Sequence, residues 1–249
     1  MTRVLIAIVA AIAIGSTAGT VALADTFVGS GLGDTLTGTV GPDQIYGEDG
    51  NDTIVGLAAN DYLEAGPGND RVDGGTGADL VIAGTGDDHV LGGGGDDVVY
   101  AGVGADEVLG GAGADVIFGQ AGDDRLFGGA GRDRLYAGTG VDFVHGGAGG
   151  DRIYADGVKS TIDGGAGNDR IKTGDGDDTV RGGRGKDRIS TGAGDDVIKV
   201  RDGRRDVVRC GPGHDTVQAD KTDVLRDCEL VEVRDRGAAA QGGRHRPHR

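Results

Sequence analysis

The nonapeptide GGGGDDVVY, residues 92–100, is one unit of a pattern that runs through most of this chain. Glycine stands at its first, second and fourth positions, aspartate at its sixth, and a large aliphatic residue at its eighth. The same register continues without a gap over residues 29–199, which gives nineteen consecutive units. A period this strict is the signature of a repeat architecture.

Each unit contains one short strand and one loop. The last three residues place the aliphatic side chain on one face and its two neighbours on the other, as in a β-strand. The first six are rich in glycine, which permits positive φ angles and close approach of backbone segments. Since strand and loop alternate every nine residues, two units close one turn of a coil.

The sixth-position aspartates therefore stack in two files, one from alternate units on each side of the coil. Neighbours within a file are expected about one strand spacing apart, ~4.8 Å, where their charges repel unless a cation lies between them. Eighteen of the nineteen units have this aspartate: Asp34, Asp43, Asp52, Asp61, Asp70, Asp79, Asp88, Asp97, Asp106, Asp115, Asp124, Asp133, Asp142, Asp151, Asp169, Asp178, Asp187 and Asp196.

These units resemble the glycine-rich nonapeptides of the repeats-in-toxin family, also called haemolysin-type calcium-binding repeats. The resemblance covers about two thirds of the chain. It implies an all-β fold, a right-handed parallel β-roll of nineteen repeats with two sheets of short strands, which binds Ca²⁺ in its turns. The eighteen aspartates are then the metal ligands.

The chemistry of the donors also favours calcium. Ca²⁺ accepts six to eight oxygen ligands in flexible geometry, including the backbone carbonyls that glycine loops present, whereas Mg²⁺ requires a stricter octahedron. Zinc prefers nitrogen and sulfur ligands, which these loops lack. Adjacent aspartates within the files form fifteen pairs, so we expect at most about fifteen bound ions.

The composition agrees with a solenoid and excludes some functions. The chain of 249 residues has 54 glycines, no tryptophan and nine aromatic residues, too few large apolar residues for an ordinary globular core. A solenoid needs only a thin file of Val, Ile and Leu, because each repeat buries its face on its neighbours. The formal charge of −16 argues against a nucleic-acid partner and indicates a chain that binds cations.

The first residues predict export. Arg3 precedes an apolar run over residues 4–14, and the small residues of positions 22–24 form a cleavage site before Asp25. Residues 1–24 are therefore predicted to be a signal peptide, and the mature protein to be secreted and extracellular with no membrane span. An uncleaved anchor helix is the alternative, because this segment is just long enough to cross a bilayer.

The rest of the chain divides into three parts. We assign residues 25–199 to the calcium-binding β-roll, residues 200–236 to an altered repeat and C-terminal cap, and residues 237–249 to a basic disordered tail. The cap resembles the closing segment of secreted actinobacterial calcium-binding repeat proteins. Two cysteines in an exported chain are predicted to pair, Cys210 with Cys228. The tail is a solvated end or, alternatively, a tether to the cell wall or to phosphate.

Some units depart from the pattern. Leu32 and Ala59 replace the fourth-position glycine, so the first and fourth loops are expected to bind weakly or to serve as a cap. The unit at residues 155–163 has Val158 for that glycine and Ser160 for the aspartate, and we predict a defective calcium loop there. Acidic or amide residues are frequent at the fifth position, where they favour the turn or add oxygens around the metal.

The sequence contains no sign of an enzyme. It lacks HExxH and GxSxG motifs, its five histidines are scattered, and too little chain lies outside the repeats for a catalytic domain. A secreted structural, adhesive or cell-surface module is the favoured function. The alternative is an accessory or relative of a secreted hydrolase, lyase or epimerase that acts on polysaccharide, since relatives of that type have similar repeats.

One outward file is rich in aromatic residues. The ninth positions of one sheet include Tyr100, Phe118 and Tyr136, with Val98 and Val116 beside them. These residues form either a cross-strand ladder that stabilises its own sheet or an exposed contact surface. The second possibility predicts self-association, or a glycan or cell-surface partner whose sugar rings stack on Tyr100 and Tyr136.

Overall fold

The computed structural model describes residues 24–234. The predicted signal peptide, residues 1–24, lies outside this range except for its last residue, and the predicted tail at residues 237–249 lies wholly outside it. Every regular element of the described residues is a β-strand, as the repeat pattern predicts. Within this range no helix is long and apolar enough to cross a membrane.

Twenty-five strands follow one another, most of them three to six residues long. They are β1 (Asp25–Val28), β2 (Thr35–Thr37), β3 (Asp43–Tyr46), β4 (Thr53–Val55), β5 (Tyr62–Pro67), β6 (Arg71–Thr76), β7 (Leu80–Thr85), β8 (His89–Gly94), β9 (Val98–Val103), β10 (Glu107–Ala112), β11 (Val116–Ala121), β12 (Arg125–Ala130), β13 (Arg134–Thr139), β14 (Phe143–Ala148), β15 (Arg152–Ala155), β16 (Thr161–Gly167), β17 (Arg170–Thr173), β18 (Thr179–Arg181), β19 (Arg184–Gly185), β20 (Arg188–Ser190), β21 (Val197–Lys199), β22 (Val207–Arg209), β23 (Thr216–Asp220), β24 (Val224–Arg226) and β25 (Leu230–Arg234).

The strands form two parallel sheets. The first sheet has 12 strands in the order β1-β3-β5-β7-β9-β11-β13-β15-β17-β20-β22-β24. The second sheet has 13 strands. Twelve of them follow the order β2-β4-β6-β8-β10-β12-β14-β16-β18-β21-β23-β25, and the thirteenth, β19, pairs with β16 outside that order. Val99 pairs with Val81 on one side and Ile117 on the other, so one turn of the coil takes 18 residues. This is the predicted two-sheet β-solenoid.

The core is a thin double file of aliphatic side chains between the sheets. Eighth-position residues such as Ile45, Val99 and Ile117 are fully buried, while their neighbours on the same strand face outward. First-position alanines, among them Ala83 and Ala101, fill the remaining space between the files. Each turn buries its apolar residues against the next turn, which is how a chain this poor in large apolar residues forms a core.

Glycine is required where successive loops approach each other. Gly93 and Gly95 have φ angles of 109° and 133°, and a β-carbon on either would overlap the carbonyl oxygen of the residue one turn earlier. The fourth loop keeps a similar backbone although Leu57 and Ala59 replace glycine, because both adopt positive φ, at 80° and 78°. That loop therefore stores backbone strain, since L-residues pay ~1–2 kcal/mol in this region. Leu32 has no positive φ and is exposed.

Residues 200–234 continue the same two sheets. Ile189 pairs with Val208, and Ile198 with Val217, so one turn of the coil lengthens from 18 to 19 residues after Lys199. Strands β24 and β25 then extend the first and second sheets by one strand each.

Cys210 and Cys228 form a disulfide with a Cα–Cα distance of 5.2 Å, as predicted. Closing a loop of this size contributes ~3 kcal/mol by the chain-entropy estimate. The bond ties the last turn of the coil to the turn before it.

Candidate metal sites

The sixth-position aspartates lie at the starts of the strands, most of them immediately before the first strand residue, and their side chains point inward. Asp97 precedes β9 and is 1% exposed, and nearly all of its counterparts are buried to the same degree. Their burial follows from alternation along the strand, because the sixth and eighth residues of a unit lie on the same face. The coil therefore buries two files of carboxylates between its loops.

One oxygen of each carboxylate links successive turns. Oδ1 of Asp97 accepts a hydrogen bond from the backbone N–H of Asp79 at 2.9 Å, and the N–H of Asp97 donates to Oδ1 of Asp115 at 3.0 Å. The same bond recurs along both files at 2.7 to 3.1 Å. Each aspartate thus fixes the backbone of the turn before it, and its Oδ1 is satisfied within the fold.

The second oxygen of each carboxylate, Oδ2, has no partner. Eighteen buried aspartates in residues 24–234 have an Oδ2 without any hydrogen bond: Asp52, Asp61, Asp70, Asp79, Asp88, Asp97, Asp106, Asp115, Asp124, Asp133, Asp142, Asp151, Asp169, Asp178, Asp187, Asp196, Asp206 and Asp215. An unsatisfied buried acceptor costs about 1–3 kcal/mol, and more if it is charged. Eighteen of them exceed the ~5–15 kcal/mol by which a typical domain is stable. The ionised array therefore requires a cationic partner.

The surroundings of Oδ2 suit a cation that prefers oxygen. A β-carbon on Gly92 would lie 2.7 Å from Oδ2 of Asp97 and 2.6 Å from the carbonyl oxygen of Gly110, one turn later. Gly110 has the same relation to Oδ2 of Asp115, at 2.6 Å, and to the next carbonyl. Carboxylate and carbonyl oxygens thus share the space that the bare glycine leaves. Both are ligands that Ca²⁺ accepts.

The metal would depend on the backbone as well as on carboxylates. Nowhere in residues 24–234 do three or more His, Cys, Asp or Glu side chains converge on one point. Each gap between turns offers two carboxylates, so the loop carbonyls have to supply the remaining ligands. That requirement again favours Ca²⁺, which binds carbonyl oxygens readily, and it excludes a zinc site of His and Cys.

Burial raises the pKa of the file aspartates. Desolvation is the largest cause, the hydrogen bond from the preceding turn opposes it, and neighbouring carboxylates add to it. The pKa is raised to about 7 for Asp88, Asp97, Asp124, Asp169 and Asp206. It is raised to about 6 for Asp61, Asp133 and Asp187. Without metal, protons are therefore the competing ligands of this array.

The structure distinguishes two of the eighteen predicted ligands from the rest. Oδ2 of Asp34 accepts hydrogen bonds from the N–H and hydroxyl of Ser30, at 2.6 and 2.8 Å. Oδ2 of Asp43 accepts one from the N–H of Thr39 at 2.6 Å. Serine and threonine replace the second-position glycine there, so the first two loops satisfy their own carboxylates. They resemble a cap more than a metal loop.

The unit at residues 155–163 is interrupted as predicted from its sequence. Ser160 is buried, and its N–H donates to Oδ1 of Asp178 at 2.7 Å, so the backbone link to the next turn is kept. Its hydroxyl has no hydrogen-bond partner and cannot replace a carboxylate. The file that contains Asp142 and Asp178 is therefore broken into two segments at this unit.

Two members of the files were missed by the sequence analysis. Asp206 and Asp215 are fully buried, and their Oδ1 atoms accept from the N–H groups of Asp187 and Asp196 at 2.8 and 3.0 Å. The unit at residues 200–209 has one added residue, so Asp206 does not fall at the sixth position when the nine-residue period is extended beyond residue 199. The signal that finds it is an aspartate two residues before the buried Val208.

The pairs of consecutive aspartates with a free Oδ2 on both members number fifteen, eight in one file and seven in the other. This equals the predicted upper limit for bound ions, although the membership differs. The two pairs at the start of the files are replaced by two pairs at the end. Asp223 and Glu229 then close the files by accepting from the N–H groups of Asp206 and Asp215.

The fifth-position side chains have a structural role. Oδ1 of Asp96 accepts from the N–H of Ala114, one turn later, at 2.8 Å. The same bond is made by Asn51, Asn60, Asn69, Asp87, Asp123, Asn168, Asp177 and Asp195. These side chains link successive turns of the coil from the outside of the loops. Their oxygens therefore bond to the backbone, which favours a structural role over an added metal ligand.

A parallel β-roll with two buried files of loop carboxylates defines the class of protein: a calcium-binding repeat protein. A family model described as RTX calcium-binding nonapeptide repeat (4 copies) matches residues 28–63, 49–81, 73–108, 100–135, 127–158 and 163–198. The chain belongs to this family, whose repeats bind Ca²⁺ at multiple sites. None of the curated proteins compared with the chain matches it.

Proposed function

We propose that this protein is a secreted module that folds on calcium and serves as a structural or adhesive element outside the cell. The observation that supports this proposal best is the set of eighteen buried Oδ2 atoms without partners. Because the free energy of metal binding becomes free energy of folding when the unfolded chain has no formed site, calcium would decide whether the coil exists. Calcium concentrations outside the cell would keep it folded.

The position of the paired carboxylates supports a non-catalytic role. Glycoside hydrolysis needs two carboxyl groups in a cleft that the substrate can enter. The file aspartates, for example Asp106 and Asp124 at 1% exposed each, lie inside the coil instead. Their chemistry is ligation of cations between turns, and a polysaccharide chain has no access to them.

The aromatic file is a ladder. Tyr100, Phe118, Tyr136 and Tyr154 stack with ring centroids 4.8 to 5.0 Å apart and interplanar angles of 5° to 10°. Both faces of Tyr136 are covered by its neighbours, so the predicted stacking of a sugar on this ring is wrong. The file stabilises its own sheet by about 0.2–1 kcal/mol per pair. Self-association through this sheet stays a prediction.

Expression of the full chain in an exporting bacterial host tests this proposal. We expect the protein in the medium to begin at Asp25 and equilibrium dialysis to show many bound calcium ions, up to fifteen. A protein that stays in the cytoplasm or membrane with residues 1–24 attached would reject secretion. Two or fewer bound ions in an exported chain would reject the calcium-dependent fold.

A further inference from the structure

Four arginines form a ladder on the outer face of the first sheet. Arg134 pairs with Arg152, Arg152 with Arg170, and Arg170 with Arg188, on the consecutive strands β13, β15, β17 and β20. All four side chains are exposed. Neighbouring strands lie ~4.8 Å apart, so the ladder presents one guanidinium per strand spacing along the coil.

Nothing in the described residues neutralises this arginine ladder. In residues 24–234 the arginines that form ion pairs are Arg181, with Asp163 at 3.3 Å, and Arg201, with Glu232 at 3.4 Å. Neither belongs to the ladder. Like charges directly opposite each other on neighbouring strands destabilise a sheet. The fold therefore contains a repulsion that it does not relieve, on a chain whose formal charge is −16.

The space beside the ladder is open and basic. A shallow groove of about 350 Å³ is lined by Arg132, Arg152 and Asn168 together with glycines, and its lining contains no acidic side chain. A second groove, of about 220 Å³, is lined by Lys186, Arg188 and Arg205 together with Val207 and the buried Asp187. Two of the four ladder arginines, Arg152 and Arg188, thus line grooves formed with neighbouring loop residues.

We propose that the arginine ladder binds a linear carboxylated polysaccharide, with the uronate carboxylates on the facing side of the chain paired with arginines of the ladder. Arg is suited to this role because its planar guanidinium pairs with a carboxylate through two parallel hydrogen bonds. In an extended two-fold chain the carboxylates of alternate hexuronic acid residues lie on the same side, so those that face the sheet recur at about two strand spacings. Duplex DNA fits less well, because its charges recur every ~1.7 Å of helix axis, far more closely than the arginines of the ladder.

This inference rests on the proposed extracellular role, because such polymers are found outside cells. The ladder needs the coil to be folded but needs none of the buried aspartates to contact the ligand. Calcium-dependent folding and polysaccharide binding can therefore be measured separately on the same sample.

The test uses the calcium-loaded, full-length mature protein and a fluorescent hexamer of galacturonic acid, followed by anisotropy. The test variant is Arg152→Gln with Arg170→Gln. The control is Arg71→Gln with Arg125→Gln, which changes two exposed arginines at the same position of the strand on the second sheet. Both variants have the same net charge, and circular dichroism verifies that each still folds with calcium.

We expect the ladder variant to bind the hexamer about tenfold more weakly, as for the loss of two exposed ion pairs. The slope of log affinity against log salt should fall by about 1.5 in magnitude. The control should stay within about twofold of the parent, and the methyl-esterified hexamer should not bind.

Equal weakening in both variants, or equal binding of the methyl ester, would overturn the proposal. Tighter binding of polyphosphate than of the uronate hexamer would also overturn it. Absence of binding by a protein that folds normally with calcium would reject the ladder alone, whereas absence of calcium-induced folding would reject the proposed function.

Discussion

Replacing Asp97 by asparagine should have opposite effects with and without calcium. In the metal-free coil the amide nitrogen takes the place of the unpartnered Oδ2, beside the carbonyl oxygen of Gly110 that it can donate to. Removing one unsatisfied buried acceptor stabilises that state by about 1–3 kcal/mol at pH 8, where the carboxylate, with its pKa raised to about 7, is charged. The bond from Asp79 is kept through Oδ1.

With calcium the same change should destabilise the coil. Asp97 takes part in two of the fifteen pairs, with Asp79 and with Asp115, so bound calcium should fall by up to two ions. Loss of the ligand from two adjacent gaps should also divide the file and raise the calcium concentration at the folding midpoint. Isothermal titration calorimetry gives the number of ions, and circular dichroism gives the calcium concentration at the folding midpoint. In chelator, an osmolyte that favours the folded coil makes the stability of the metal-free state measurable.

Asp96→Asn is the matched control, because this neighbour is exposed and its Oδ1 accepts from Ala114, a bond that asparagine can also make. It removes the same charge one residue away and should leave the number of ions unchanged. Equal effects of the two substitutions would refute the distinction between buried ligand and structural side chain. So would an Asp97→Asn protein that binds as many ions as the parent.

Three further predictions follow from the same geometry. Burial raises the pKa of Asp88 and Asp97 from 3.8 to about 7, so the metal-free coil binds more protons than the unfolded chain and loses stability as pH rises through that range. In chelator we expect more β-structure at pH 5.5 than at pH 8 by circular dichroism. More β-structure at pH 8 would contradict the raised pKa values. Ser160→Asp with Val158→Gly should add up to two ions in calorimetry by joining the broken file, and no change in bound calcium would reject that interpretation. Gln120→Gly should raise Tm by a few degrees, because the fold imposes a φ of 77° that is unfavourable for a residue with a β-carbon. Gln120→Ala should not raise it, and a lower Tm for the glycine variant would show that no strain is stored there.

The period of the sequence was enough to predict the two sheets, the buried aliphatic file and the inward aspartates, because each depends only on position within a nine-residue unit. Ile45 and Asp97 lie where a count in nines places them. What depends on particular atoms in the neighbouring turn was not predictable in this way. The division of each carboxylate into a bonded Oδ1 and an unpartnered Oδ2 belongs to this group.

Departures from the period were the hardest to predict. Asp206 was missed because one added residue shifts it, although strand pairing requires only that Val208 stay in the core. Ser30 and Thr39 satisfy the first two carboxylates through bonds that no repeat pattern specifies. The faces of Tyr136 are covered because rings one turn apart stack in parallel, which depends on side-chain rotamers and not on sequence spacing.

A calcium titration of the mature chain, followed by far-ultraviolet circular dichroism at pH 8, shows whether the metal folds the coil. We expect little β-structure in excess chelator and a cooperative gain at calcium concentrations on the order of 10⁻⁴ to 10⁻³ M, with no equivalent gain from magnesium. A full β-sheet spectrum in chelator that calcium leaves unchanged would contradict this expectation, because the eighteen unpartnered oxygens would then need no metal.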